Sequence, residues 1–283
     1  MKKVTATLIA ALALGATAGA GELVERRTIR DAMAVAGDGR TGELVVDNVF
    51  GSIRVETHDR PLIEYVAHET IEARDRDAVD RAREEVRLDV RREGDSYTLF
   101  VDGPFRCDDD RRCHCGRETD YVVVYDFEIR VPRRIDVDLR TVNGGEIEVT
   151  GVRGDYRVAN VNGGVRLLHV DGSGRANTVN GPIRVVFDGN PRAESEFRTV
   201  NGDVDLEFQP DLSADVRAKT FNGEIWTDFD AEPLPLDAPQ TARRDGKTVI
   251  RTDRWAALRI AGGGPLLTFE TLNGDILIRN ALR

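Results

Sequence analysis

All three cysteines of the 283-residue chain sit in one short stretch, Arg106-Cys107-Asp108-Asp109-Asp110-Arg111-Arg112-Cys113-His114-Cys115-Gly116. Two chemistries fit the C-x5-C-x-C spacing. In an oxidising compartment a local disulfide, Cys107 with Cys113 or with Cys115, would close a surface loop and leave one thiol over. So small a loop adds only about 2–3 kcal/mol in the chain-entropy model. Alternatively, three thiolates and His114 could ligate a soft metal. The consecutive Cys113-His114-Cys115 suits that poorly, because an extended segment points His114 away from its neighbours, and zinc sites favour C-x2-C. The disulfide is therefore expected, with no metal and no cofactor.

Acid–base chemistry would need carboxylates converging in a groove. Glu148, Asp203, Asp205, Glu207, Asp228 and Asp275 are available, yet they alternate with apolar residues as any solvated strand face does. Arg166 and Arg184 occupy equivalent places in neighbouring repeats, which suggests charge pairing between strands. His58, His68, His114 and His169 form no pattern, and no serine-nucleophile or calcium-loop motif is present. Gly262-Gly263-Gly264 lacks the following Lys-Ser/Thr of a phosphate loop, so a tight corner is expected. Catalysis is not expected.

The elements that would carry these residues come from a repeat. Thr141-Val142-Asn143-Gly144 returns as Asn160-Val161-Asn162-Gly163, Thr178-Val179-Asn180-Gly181, Thr199-Val200-Asn201-Gly202, Thr220-Phe221-Asn222-Gly223 and Thr271-Leu272-Asn273-Gly274. The asparagines are 19, 18, 21, 21 and 51 residues apart, so five units stand in tandem and a sixth follows an insertion. Apolar–polar alternation after each Asn-Gly, as in Ile183-Arg184-Val185, marks a strand with one buried face. Another strand precedes each corner. Asn and Gly both tolerate positive φ, which allows a sharp bend. The expected fold is all-β: a β-solenoid, a single-stranded β-helix-like stack of two-strand coils with one short helix in the N-terminal region. An antiparallel meander, with Asn-Gly as hairpin turns, is the alternative. Whether Thr and Asn or the intervening Val face inward stays open.

Residues 1–20 combine a basic start, a short apolar run and Ala18-Gly19-Ala20, the pattern of a cleaved signal peptide. Removing them takes two lysines and no acid, so the net charge moves from −10 to −12. With 27 Gly and 10 Pro the composition suits a turn-rich β protein, and the acidic balance argues against nucleic acid. No stretch is long enough for a transmembrane segment. Residues 21–140 read as a β-rich cap containing the Cys loop (106–116), a helix from Arg74 to Leu88 and a worn repeat with Phe50-Gly51 at its corner. The tandem repeats occupy 141–229. The span 230–283 contains a proline-rich loop, a hairpin at Asp245-Gly246 and the last repeat, within the same β domain.

The Asn-Gly-x-Ile/Val phrases, the Val131-Pro132 strand before them and the Gly-Gly-Gly…Thr271-Leu272-Asn273-Gly274-Asp275-Ile276 ending resemble an adhesin-labelled family of bacterial envelope β-strand-repeat proteins, a domain-of-unknown-function family. The resemblance covers Glu43 to the C-terminus and implies a β-helix-like fold and an envelope location; it supplies no catalytic residues, and the Cys insertion departs from it. The expectation is a non-catalytic exported protein, periplasmic or extracellular, that presents a β-repeat scaffold to an envelope protein or glycan. The alternatives are a carbohydrate-active enzyme on the same scaffold and an envelope-stress, redox- or metal-responsive protein acting through the Cys loop. Exposed aromatics would favour the enzyme, and only Trp226 and Trp255 are on offer. The final strand, Asp275 to Arg279, is expected to lie uncapped and open to self-association.

Overall fold

Period-two alternation in the repeats produces strands that each bury one row of side chains, and two such rows close on each other. The computed structural model describes residues 23–35, 42–106, 119–235, 240–244, 247–251 and 255–282, with backbone alone at 240–244 and 247–251. The proposed signal peptide and Cys107, Cys113, His114 and Cys115 lie outside the described residues. A ten-stranded and an eleven-stranded sheet carry nearly all of the chain, with a two-stranded hairpin, Gln240–Arg244 and Lys247–Arg251, where Asp245-Gly246 suggested one. The fold is all-β with a single α-helix among the described residues.

Within the repeats, the strand before each Asn-Gly lies in one sheet and the strand after it in the other. Each pairs in parallel with its counterpart in the next unit: Val165 sits opposite Ile183, and Ile183 opposite Val204. In the second sheet Tyr156 pairs with Gly174, and Arg175 with Glu196. Antiparallel pairing is confined to the ends. At the N-terminal end the 12-residue strands Leu23–Ala34, Leu62–Ala73 and Tyr121–Pro132 pair antiparallel, and the last of these runs parallel to Ile53–His58. The worn repeat stacks as its sequence suggests, with Phe50 bridged to Asn143.

The helix, Arg76–Glu85, is shorter than expected. The Asp75 side chain caps it by accepting from the Ala78 amide, and Val86 has already turned to extended backbone. Its apolar residues Ala78, Val79 and Ala82, with Val86 just beyond, are buried. The core between the repeat sheets is aromatic: Phe187 stacks on Phe208 at 4.9 Å and Phe197 on Phe269 at 5.6 Å, with the two pairs meeting edge to face.

Within the repeats, spatial order departs from chain order at one place. Leu266–Glu270 and Ile276–Asn280, the sixth unit, insert between the fourth and the fifth. Ile276 pairs with Val204 on one side and Ile225 on the other. The expectation of an uncapped final strand is therefore corrected: both of its edges are hydrogen-bonded, which removes the terminal-strand route to self-association. The insertion of 233–260 supplies the length for this return, and its strand Ala256–Ile260 pairs antiparallel with Ala214–Lys219. The triple glycine turns the chain back toward Leu266, with Gly263 at φ +75°.

Candidate functional site

The corners settle which residues face inward. Thr141, Thr178, Thr199 and Thr271 are buried, and each hydroxyl donates to a glycine carbonyl of the adjacent coil, as Thr199 does to Gly181 at 2.9 Å and Thr271 to Gly202 at 2.9 Å. Asn160 replaces Thr in the second unit and does the same through its amide, reaching the Gly145 carbonyl at 2.9 Å. The chain then bends, so the next residue and the asparagine both face outward. The outer asparagines form a continuous amide ladder in the spatial order 143, 162, 180, 201, 273, 222, with five side-chain bonds of 2.7–2.8 Å.

The role given to Asn-Gly changes accordingly. Among the described residues only His169 and Ala261 are non-glycine positions with positive φ, so none of the corner asparagines uses that freedom. Gly144, at φ +80°, does. Gly181 is required for closeness instead: a Cβ there would lie 2.4 Å from the Gly163 carbonyl oxygen of the coil below. Gly163 and Gly223 follow the Gly181 pattern, and Gly202 and Gly274 combine the same closeness with φ of +157° and +153°.

The candidate carboxylates do not converge. Glu148 lies 3.4 Å from Arg54 and 3.3 Å from Arg166. Asp205 lies 2.8 Å from both Arg184 and Arg279, so the expected pairing between neighbouring strands is present. Asp203 and Asp275 accept backbone amides of the next coil at 2.9 and 2.8 Å, and Asp228 accepts from the Asn280 amide. Among the described residues no cluster of three or more His, Cys, Asp or Glu is arranged to hold a metal. The displaced ionisations lie elsewhere. Burial pushes the Tyr65 phenol up to about 12, and burial beside Glu69 raises Tyr125. Arg259 holds Asp215 below the ordinary carboxylate value.

What the fold does assemble is an open groove of about 480 Å³ beside the amide ladder, across the third, fourth, sixth and fifth units. Its floor is the buried threonine row. One wall is the ridge of apolar residues preceding the asparagines: Val200 (37% exposed), Leu272 (46%) and Phe221 (60%) rise along the stack. The other wall is polar. Arg198 lies 2.5 Å from Glu196 and 3.4 Å from Glu270, and Lys219 lies 3.5 Å from Glu270 and 5.3 Å from the Trp255 ring. Asn177 lines the groove, and its Oδ1 is buried without a hydrogen-bond partner.

Sequence reasoning missed this groove. Phe221 and Leu272 are 51 residues apart, and only the intercalated last unit puts them side by side. The replacement of valine by Phe221 and Leu272 before the last two asparagines was the available signal. Trp226 is exposed on the other sheet, away from the groove. The base of the Cys insertion is anchored: Arg106 stacks over Phe100 at 4.1 Å and binds the Asp47 side chain and carbonyl at 3.0 and 2.8 Å.

No family model and no curated protein matches the chain. Among solved structures, a putative cell adhesion protein from Clostridium sporogenes aligns at 10% identity over 89% of this chain and 98% of that one, with a TM-score of 0.41. A putative adhesin from Bacteroides fragilis aligns at 10% identity over 89% and 96%, with a TM-score of 0.33. A putative lipid binding protein from Parabacteroides distasonis aligns at 7% identity over the same shares, with a TM-score of 0.26. At these identities and scores no residue role or partner is carried over from them.

Proposed function

We propose that the chain is a non-catalytic, exported scaffold of the cell envelope that binds an envelope protein or glycan through its repeat surface. The observation that carries this reading is the groove: an exposed apolar ridge facing a row of paired charges, built on four coils. Amphipathic, largely pre-formed clefts of this size are where elongated partners dock. Export is supported by the basic and apolar pattern of residues 1–20. Among the described residues no helix is long and apolar enough to cross a membrane. The side chains of Glu148, Asp203, Asp205, Asp228 and Asp275 serve ion pairs and backbone caps, which supports binding over turnover.

Co-sedimentation of the exported protein with purified envelope fragments tests the reading. The chain is expected in the pellet, with retention falling at least about fivefold for Val200→Glu/Leu272→Glu, which places unpaired charge on the ridge. Trp226→Ala, on the opposite sheet, should sediment like the parent. Equal retention of all three, or none for any, would remove the groove as the docking surface.

A further inference from the structure

We propose that the groove binds a neutral glycan chain lying along the stack axis. The inference rests on the scaffold reading above and names its ligand class.

Period is the first argument. Successive coils stand about 4.8 Å apart, so a groove across four coils repeats its chemistry over roughly 14 Å. An extended peptide shows like-facing side chains every ~6.8 Å, out of step with that repeat. Extended β-1,4-linked pyranose chains advance about 5 Å per sugar, close to the ~4.8 Å strand spacing, and stay in step over about three rings.

The two walls give the second argument. A sugar ring has an apolar C–H face and an edge of hydroxyls, each both donor and acceptor. The ridge of Val200, Leu272 and Phe221 offers apolar surface to the first. Across the threonine floor, Arg198, Glu270 and Lys219 alternate donors and acceptors for the second. At the head of the row stands Asn177, whose unpartnered amide oxygen gains a donor once the amide turns toward a ligand hydroxyl.

Charge selects among polymers. Glu196, Glu270, Arg198 and Lys219 cancel within the groove, on a chain of net charge −10. Such a groove has no surplus positive potential to hold a polyanion, and its carboxylates are already engaged against a polycation.

The test is calorimetric titration of the exported full chain with neutral β-1,4-linked oligosaccharides of two to six sugars, in gluco and manno series, with α-1,4-glucans as a coiled comparison expected to bind more weakly. Polygalacturonate serves as the acidic comparison. Affinity for at least one neutral series should rise with length up to about three or four sugars and then level off, as the ~14 Å groove fills. Phe221→Ala should weaken that binding about tenfold by removing the aromatic platform, and Trp226→Ala should not change it. Preference for polygalacturonate, no neutral binding, or binding indifferent to Phe221→Ala would overturn the proposal. If sugars fail while envelope fragments are still retained in a ridge-dependent way, the glycan assignment falls and the scaffold stands. If ridge-dependent retention fails too, both fall.

Discussion

Along the column of Asn-Gly corners every coil turns on the same residues. Along the opposite column the turns at 171–174, 189–194 and 209–213 differ in length and sequence. The first column is held by the same two bonds repeated from coil to coil: asparagine amide to asparagine amide outside, threonine hydroxyl to glycine carbonyl inside. The second is held by bonds particular to each pair of turns. Ser173 Oγ accepts from the Arg192 and Ala193 amides at 3.0 Å, and Asn190 bridges the Gln209 amide and Asp211. Close backbone approach recurs at every unit of the first column, whereas in the second it falls at particular turns, as at Gly172 and Gly174, whose Cβ would lie 2.0 and 1.9 Å from the Gly154 and Tyr156 carbonyl oxygens, and side chains span the rest.

The largest expected contrast comes from inserting two glycines. Between Val200 and Asn201 they would push the corner out of register with both neighbours, and a loss of about 4 kcal/mol or more is expected. Between Ala193 and Glu194 they would lengthen an already irregular turn, at about 0.6 kcal/mol or less. Chemical denaturation of both proteins measures the difference, and comparable losses would dissolve the distinction between the columns.

Within one corner, inside and outside should also separate. Thr199→Val leaves the Gly181 carbonyl buried without its donor and should cost about 1–3 kcal/mol. Asn201→Ala removes two ladder bonds that water can replace, and should cost about 1 kcal/mol or less. The reverse ranking in thermal melts would place the stability of the column in its outer ladder.

The smallest effect concerns the C-terminal edge. Asp215 makes a two-pronged ion pair with Arg259 at 2.7 and 3.0 Å, which lowers its pKa from 3.8. A depressed folded-state value contributes stability that is present above the unfolded pKa and lost as pH falls through the folded one. Asp215→Asn should therefore melt slightly lower than the parent at pH 6, with the gap closing as pH drops below the ordinary 3.8. A gap that persists at pH 2 would assign the effect to packing instead.

Much of the architecture is legible in the residues. Alternation after each Asn-Gly marks the strands, the recurrence of Thr marks positions that stack on their own kind, and Asp75 with Ala78, Val79 and Ala82 marks the helix. The spatial order of the coils is not legible, because every unit presents the same pairing rows. Asn273 fits against Asn201 as well as Asn222 does, so local sequence does not choose between them. The groove inherits that ambiguity, since Glu270 and Leu272 reach Lys219 and Phe221 only through the choice. Half of the reason for glycine at the corners is legible, since Gly144, Gly202 and Gly274 take positive φ; the other half is not, because φ is a property of one residue whereas closeness belongs to two coils.

The intercalated last unit bears on how the molecule can be assembled in time. When residues up to Thr227 have been made, the fifth coil has no permanent neighbour on its inner side, because that place belongs to strands ending at Asn280. Contacts such as Asn201 with Asn273 span 72 residues, so the stack cannot grow one coil at a time from its N-terminal end. The nascent chain must hold a gap open, or release a provisional pairing, until residues 266–280 arrive. Further repeats copied in after residue 280 would lengthen the chain past a slot that is already closed on both sides.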